Sequence, residues 1–307
     1  MRAGAEASLL PLMNKVEWHL TREQFTLRRW NRGWNIQRIG KHMGIRSLGY
    51  LWLCAFIALS ACGSGDVSHL AEPKRIVDLS PALGQNTACQ RLGIRTCDFL
   101  GAPTYNPFTL VTPADTNRSF GMMTFALLSH GGAHLDAPGR LLRDGARADQ
   151  VPLDRLYGPA RVWDLRWHDR HTPLQITDLT QQPSLHPGEV LLLITGYDPP
   201  GPGDWPVYAW LSPQVASWLA AQHPRALATD MPSIGSFERC AELLEHGRPP
   251  EEVWAEHLPF FQTGIPVIEG LINLEQLVGE STIIFAGLPL AIADRSGAPL
   301  RAVAFVY

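Results

Sequence analysis

Two histidines separated by a glycine-rich gap constrain the fold of this chain more than any other feature. The stretch runs Ser129-His130-Gly131-Gly132-Ala133-His134-Leu135-Asp136-Ala137-Pro138-Gly139-Arg140. Histidines at this spacing would share one face of a helix, but two adjacent glycines between them disfavour a helix. Glycine instead permits tight or positive-φ backbone, which would let the rings of His130 and His134 converge. We therefore predict a non-helical segment, followed by a turn at Asp136-Ala137-Pro138.

The residue types in this stretch are those of a metal site. Imidazole and carboxylate together suit zinc, manganese or iron. His130, His134 and Asp136 are therefore candidate metal ligands. The His-x-x-x-His spacing alone is weak evidence, because it also arises on ordinary helix faces.

The same stretch resembles the signature of the metal-dependent cyclase family, which includes bacterial kynurenine formamidases and isatin hydrolases. The family pattern is His-x-Gly-Thr-His-x-Asp-x-Pro-x-His. The positions that match it here are His130, Gly132, His134, Asp136 and Pro138. Two positions depart from the pattern, because Ala133 replaces the usual threonine and Arg140 replaces the last histidine.

A second segment resembles the remaining part of the family's metal site. In the family, a histidine and a glutamate complete the set of metal ligands, and the interval between them equals that between His257 and Glu269. Taken alone, His257 would be a helix-surface residue and Glu269 a charge at a strand end. The resemblance implies a divalent ion, zinc or manganese, either as one crowded ion or as two ions that share a carboxylate. The implied ligands are His130, His134, Asp136, His257 and Glu269.

The resemblance also implies a hydrolase. A divalent ion lowers the pKa of bound water and polarises a carbonyl, so metal-activated water would attack a small aromatic or cyclic amide, as in an arylformamidase. In the family the last histidine of the motif moves protons, which Arg140 cannot do because guanidinium stays protonated. Arg140 would instead stabilise an oxyanion or pair with a substrate carboxylate. The proton donor would then be Glu269, His168 or His171, and Arg140 and Glu269 are the candidate catalytic residues.

Other interpretations stay open at this point. The enzyme would hydrolyse substrates with better leaving groups, or the protein would be a periplasmic metal-scavenging lipoprotein, or it would have lost most of its activity. Loss of a general acid–base costs about 10²–10⁴-fold in rate. A degenerate cyclase-fold protein that binds a small carboxylate, with little or no catalysis, is therefore the second interpretation. The non-functional interpretation of Arg140 is a residue in a surface salt bridge. The non-functional interpretation of His168 and His171 is that their side chains are solvated.

The N-terminal region predicts export. Residues 1–42 show no clear apolar face, and we expect an unstructured extension. Residues 43–61 carry a basic residue and an apolar run of about a dozen residues, which fits a signal peptide and is too short to span a bilayer. The run ends in Leu59-Ser60-Ala61-Cys62-Gly63, which resembles the bacterial lipoprotein box with Cys62 as the lipidated residue. The alternative interpretation of this apolar run is a buried core helix with an incidental cysteine. Lipidation would anchor the protein to the outer membrane, facing the periplasm.

The oxidising periplasm would permit a disulfide between Cys89 and Cys97, which lie close in sequence. Two unpaired thiols are the equally favoured alternative. The chain has no Cys-x-x-Cys pattern that would indicate a thiolate metal site.

Residues 62–74 are predicted to be a linker, and residues 75–307 one hydrolase domain, long enough to bury a large core without splitting. The resemblance implies an α/β fold of the single-domain cyclase-like (swivelling β/α/β) type, with a mixed sheet and flanking helices. The net charge of −3 and the lack of a basic stripe argue against nucleic acid as a partner. The expected partners are a small-molecule substrate, the membrane through the lipid anchor only and, as in the family, a second copy of the chain.

Local patterns predict the individual elements. Strands are expected at 75–80, 122–128, 160–165, 190–195, 225–229, 265–269, 282–286 and 301–306. Ser212-Pro213 and Ser236 are predicted to start two helices. A third helix is predicted from Pro249 to about Gly264, with His257 inside it.

Overall fold

The structure is a computed structural model that describes residues 72–82, 128–197, 199 and 205–307. Several predictions concern residues outside these ranges. They are the predictions for residues 1–61, for Cys62, for Cys89 and Cys97, and for nearly all of the strand at 122–128. Within the described part of the chain, no helix combines the length and apolar character needed to cross a membrane. The described residues between 72 and 307 belong to one compact unit, and the proposed domain boundaries stay predictions.

Strands make up most of the regular structure among the described residues. They are β1 Arg75–Asp78, β2 His134–Asp136, β3 Tyr157–Asp164, β4 Val190–Ile194, β5 Leu227–Thr229, β6 Val267–Glu269, β7 Ile283–Pro289 and β8 Gly297–Val306. The α-helices are α1 Ile176–Leu179, α2 Pro213–Ala220, α3 Phe237–Glu245, α4 Pro250–Val253 and α5 Leu258–Gln262. Short 3-10 helices occur at Pro138–Arg140, Leu153–Arg155 and Leu274–Leu277.

The strands form a mixed sheet that closes on itself. β3, β4, β5 and β6 lie side by side in this order and run parallel to one another, whereas β2 is antiparallel to β6 and β8. β7 is antiparallel to β3 and β8. Because β8 pairs with β2 through its first residues and with β7 through the rest, it closes the ring, and β1 pairs with the end of β8. The predicted α/β class with a mixed sheet is confirmed, and the swivelling β/α/β subdivision stays a prediction.

β4 shows why the sheet is covered on both faces. All five of its residues are buried, which is typical of a parallel strand inside an α/β fold. Leu192 and Ile194 join the hydrophobic cluster formed mainly by the strands of the ring. Leu191 and Leu193 point the other way, into a second cluster that includes residues of the helices α2 and α5.

Two helix starts are confirmed in detail. Ser212 caps α2 by accepting a hydrogen bond from the backbone N–H of Val215 at 3.2 Å, with Pro213 at the first helical position. Ser236 caps α3 in the same way, accepting from the N–H of Arg239. Each predicted strand other than 122–128 overlaps an observed strand.

The single helix expected from 249 to about 264 is wrong. α4 ends at Val253, and α5 begins afresh at Leu258 with His257 as its N-cap residue. Pro259 explains the interruption, because a proline inside a continuous helix removes a backbone donor and clashes with the carbonyl four residues earlier. In the first turn of a new helix the same proline is tolerated.

Candidate metal centre

The pairing of β2 with β6 brings the two predicted ligand segments together. In this antiparallel register His134 lies opposite Glu269, and Asp136 lies opposite Val267. Gly270 follows β6 with a φ of 74°. A Cβ atom at Gly270 would lie 2.9 Å from the carbonyl carbon of Gly132 and closer still to its oxygen. Glycine at this position therefore permits the close approach of the two segments. Gly132 itself has a φ of 67°, as the sequence predicted for the gap between the histidines.

The structure places all five predicted ligands in one cluster. His134 Nε2 lies 3.5 Å from Asp136 Oδ1 and 3.3 Å from Glu269 Oε2. His257 Nε2 lies 3.4 Å from Asp136 Oδ2 and 3.1 Å from Glu269 Oε1. His130 Nδ1 lies 2.5 Å from Asp136 Oδ1. The side chains make two potential metal-ligating groups that share Asp136, and within each group the ligand atoms lie within 4.8 Å of one another.

The donor atoms suit a divalent ion in chemistry and in spacing. Around a tetrahedral ion with bonds of about 2.1 Å, neighbouring ligand atoms are about 3.4 Å apart. His134 and His257 each place Nε2 at 3.1 to 3.5 Å from one oxygen of Asp136 and one oxygen of Glu269, and the two histidines face different oxygens of each carboxylate. These side chains are also buried, none of the four residues being more than 3% exposed. Two buried carboxylates need compensating positive charge, which an ion at this position would supply.

Further contacts orient the ligand side chains. His134 Nδ1 donates to the carbonyl oxygen of Gly132 at 2.9 Å, which turns its Nε2 towards the carboxylates. The backbone N–H of Ile234 donates to Glu269 Oε1 at 2.7 Å. The Nδ1 atom of His257 is buried and has no hydrogen-bond partner among the described residues. Its ring packs against Phe261, with the ring centres 5.7 Å apart.

Electrostatic interactions inside the cluster shift several pKa values. Burial and the neighbouring Asp136 both raise the pKa of Glu269, but His134 and His257 outweigh them and lower it to about 2. Burial alone would lower the pKa of His134, yet its hydrogen bonds to Asp136 and Glu269 raise it to about 10. Burial also opposes ionisation of Asp136, but Arg140 and His130 hold its pKa well below the usual value. Both carboxylates are thus ionised at neutral pH.

Arg140 is part of this cluster. Its Nη1 donates to the two oxygens of Asp136 at 2.9 and 2.7 Å, and it lies 2.6 Å from His130 Nδ1. The guanidinium carbon lies 5.2 Å from the centre of the Trp254 ring, and the side chain is only 18% exposed. These contacts argue against the interpretation of Arg140 as a surface salt-bridging residue.

Of the three alternative proton donors named from the sequence, Glu269 lies in the cluster, and His168 and His171 lie elsewhere. His168 Nε2 pairs with Asp178 at 3.1 Å, and His171 is exposed. Neither histidine belongs to a potential metal-ligating group within the described ranges.

Besides Phe261, sequence reasoning missed two side chains that contact the cluster. Ser296 Oγ lies 3.2 Å from His130 Nε2, and Trp254 covers Arg140. Both are far from the histidine motif in sequence. Their positions depend on the pairing of β2 with β8 and on the break between α4 and α5, so no local pattern indicated them.

A family model described as a putative cyclase matches residues 77–236, just over half of the chain. The chain belongs to the cyclase family. The family expected from the sequence is therefore confirmed. The matched region includes His130, His134, Asp136 and Arg140 but ends before His257 and Glu269.

Individual relatives agree with this assignment. The chain is 28% identical over 190 residues to a kynurenine formamidase of Salinibacter ruber, which covers 62% of this chain and 82% of that protein. It is 26% identical over 185 residues to a kynurenine formamidase of Bacillus cytotoxicus, covering 60% and 79%. An isatin hydrolase bound to the product analogue thioisatinate has a similar structure, with a TM-score of 0.57 at 20% identity, over 86% of this chain and 99% of that chain. At that identity the likeness shows the fold.

Proposed function

We propose that this protein is a metal-dependent hydrolase that cleaves the C–N bond of a small aromatic or cyclic amide, as an arylformamidase does. The convergence of His134, Asp136, His257 and Glu269 carries the proposal, because each histidine nitrogen lies 3.1 to 3.5 Å from an oxygen of both buried carboxylates, a spacing that suits ligands of a divalent ion. The relatives named kynurenine formamidase support the substrate class.

The four side chains would hold the ion, with His130 beside them. When bound, a divalent ion lowers the pKa of coordinated water and polarises a carbonyl oxygen. The mixture of imidazole and carboxylate donors supports zinc or manganese.

The surrounding residues divide the remaining tasks. With a pKa of about 2, Glu269 is ionised at neutral pH, which favours a ligand role over that of proton donor. Arg140 Nη1 is already engaged by Asp136 and His130. Any contact of Arg140 with an oxyanion or a substrate carboxylate would therefore use its Nη2 or Nε atom.

Elemental analysis combined with a turnover assay tests the proposal. The purified protein and its His257→Ala variant would be assayed on N-formylkynurenine, isatin and a simple aryl ester. We expect the wild type to contain the ion and turn over at least one substrate, and His257→Ala to lose both. His186→Ala is the matched control, because His186 is exposed and makes its hydrogen bond to Glu189 through the backbone. A variant without metal that keeps full turnover would contradict the proposal.

One observation keeps a second function in view. Arg140 places a permanent positive charge in the centre where the family usually has histidine. A degenerate cyclase that binds a small carboxylate would contain metal and show no product. Arg140→His separates the two functions, because an inactive wild type with an active Arg140→His variant would support the binding protein.

We also propose that Cys62 carries a lipid that anchors the protein to the outer membrane, facing the periplasm. The proposal is supported by the apolar run and the small residues before Cys62 in the sequence.

A further inference from the structure

We propose that Arg140 is a built-in cation that occupies one of the two ion positions offered by the ligand cluster. The protein would then bind one divalent ion per chain, although its five ligand side chains are enough for two. This inference rests on the proposed function only in requiring that the cluster binds a metal.

The spacing of the ligands distinguishes the two positions. His257 Nε2 lies 3.4 Å from Asp136 Oδ2 and 3.1 Å from Glu269 Oε1. Ligands of a tetrahedral or octahedral ion with bonds of about 2.1 Å are about 3.0 to 3.4 Å apart. By contrast, His130 Nδ1 and Asp136 Oδ1 are only 2.5 Å apart. The first position is therefore the potential ligand group of Asp136, His257 and Glu269, and the second is the group of His130, His134 and Asp136. In the second group, the contact between His130 and Asp136 is shorter than the ordinary spacing of two ligands.

Arg140 already satisfies the atoms of the second position. Its Nη1 lies 2.6 Å from His130 Nδ1 and 2.7 and 2.9 Å from the oxygens of Asp136. A second ion would need the same lone pairs on His130 and Asp136. It would also stand beside a guanidinium that cannot lose its charge, and like charges at this range repel strongly.

The surroundings hold the guanidinium in place. Asp136 is fully buried and Arg140 is only 18% exposed, so solvent and salt screen this pair weakly. The face of the Trp254 ring, 5.2 Å from the guanidinium carbon, adds a cation–π contact. The other ring nitrogen of His130 is 3.2 Å from Ser296 Oγ. Both nitrogens of His130 therefore have partners within the protein.

The number of ions per chain tests the inference. The full-length protein would be loaded with excess zinc, desalted and analysed for its metal-to-protein ratio. The Arg140→Gln variant removes the charge, and Arg140→Lys keeps a charge at the same position. Arg143→Gln is a matched control, because Arg143 is an exposed arginine three residues away. We expect a ratio of one for the wild type, Arg140→Lys and Arg143→Gln, and a ratio of two for Arg140→Gln.

The outcomes separate this inference from the proposed function. A wild type with two ions, or an Arg140→Gln variant that stays at one ion, would overturn the role of Arg140 and leave the hydrolase proposal intact. A folded wild type that binds no ion would overturn both. Manganese loading gives a second readout on the wild type alone. Its electron paramagnetic resonance spectrum should be that of isolated ions, and exchange-coupled pairs would contradict the inference even if a variant failed to fold.

Discussion

His134 on β2 lies directly opposite Glu269 on β6, and its Nε2 is 3.3 Å from Glu269 Oε2. These residues are 135 positions apart in the chain, yet a single strand pairing makes them neighbours. The same pairing places Asp136 beside them. The register of two three-residue strands therefore brings three of the candidate ligands together.

Glu269→Gln tests this arrangement at one atom. The amide keeps the shape of the side chain but removes the charge that faces His134 and His257. Because changes to groups that merely support a metal ligand cost 10–100-fold in affinity, we expect loss of a ligand charge to cost at least about 100-fold. Competition with a chromophoric chelator measures the affinity.

The matched control is Glu275→Gln, which removes the same charge from an exposed side chain on the 3-10 helix that follows. Its metal affinity should equal that of the wild type. Equal affinities for the wild type and Glu269→Gln would show that Glu269 is not a ligand.

Gly270→Ala should separate β6 from the glycine-rich segment. The added methyl group would overlap the carbonyl of Gly132 in addition to requiring a φ of 74°. Gly279→Ala is the matched control, because Gly279 has a φ of 84° but no atom within 4 Å of an added Cβ. The left-handed backbone alone costs about 1–2 kcal/mol.

We expect the control to lose about that amount in the free energy of unfolding, measured with denaturant. Gly270→Ala should lose more and should also bind metal more weakly. If the two variants were equally stable, the close approach at Gly270 would not matter for the centre.

The pH dependence of the metal-free protein follows from the shifted groups. Glu269 has a folded-state pKa of about 2 against an ordinary 4.5, so its stabilising contribution exists above pH 4.5 and is lost as the pH falls towards 2. His134 has a folded-state pKa of about 10 against 6.5, so its contribution exists below pH 6.5 and is lost as the pH rises towards 10. The chelated protein should therefore be most stable between about pH 4.5 and 6.5.

Denaturant midpoints measured on the chelated protein from pH 3 to pH 10 check this profile. His134→Gln should remove the alkaline decline, because no imidazole remains to lose its proton. Stability of the chelated wild type that increased from pH 6.5 to 9 would contradict the electrostatic description of the cluster.

The proposed lipid anchor depends on one thiol. When the full chain is expressed in a Gram-negative bacterium with labelled fatty acid, we expect the wild type to incorporate label and Cys62→Ser to incorporate none. Cys54→Ser is the control, because Cys54 lies within the apolar run and should leave labelling unchanged. Label that persists in Cys62→Ser would exclude Cys62 as the lipidated residue.

Local chemistry explains which features could be predicted from the sequence. Ser212 and Ser236 act within one helical turn, so their caps were predictable. The His130–Arg140 stretch carries the family signature, which identified the family and pointed to Glu269. By contrast, the position of Arg140 against Asp136 depends on how a 3-10 helix leaves β2, and no residue type encodes that direction.

Longer-range features were harder to predict. The break before His257 depends on whether Pro259 lies in the interior of one helix or in the first turn of another, and the sequence fits both. Ser296 reaches His130 only because β8 pairs with β2. These contacts are products of strand order, which short patterns do not contain.

Removal and return of the metal test the central claim most directly. Turnover of N-formylkynurenine, isatin and an aryl ester would be measured on the purified wild type, then after exhaustive chelation, and then after addition of zinc or manganese in turn. A metal-dependent hydrolase predicts that turnover of at least one substrate disappears on chelation and returns with one of these ions, while the protein stays folded. Turnover that survives complete removal of the metal would contradict the account.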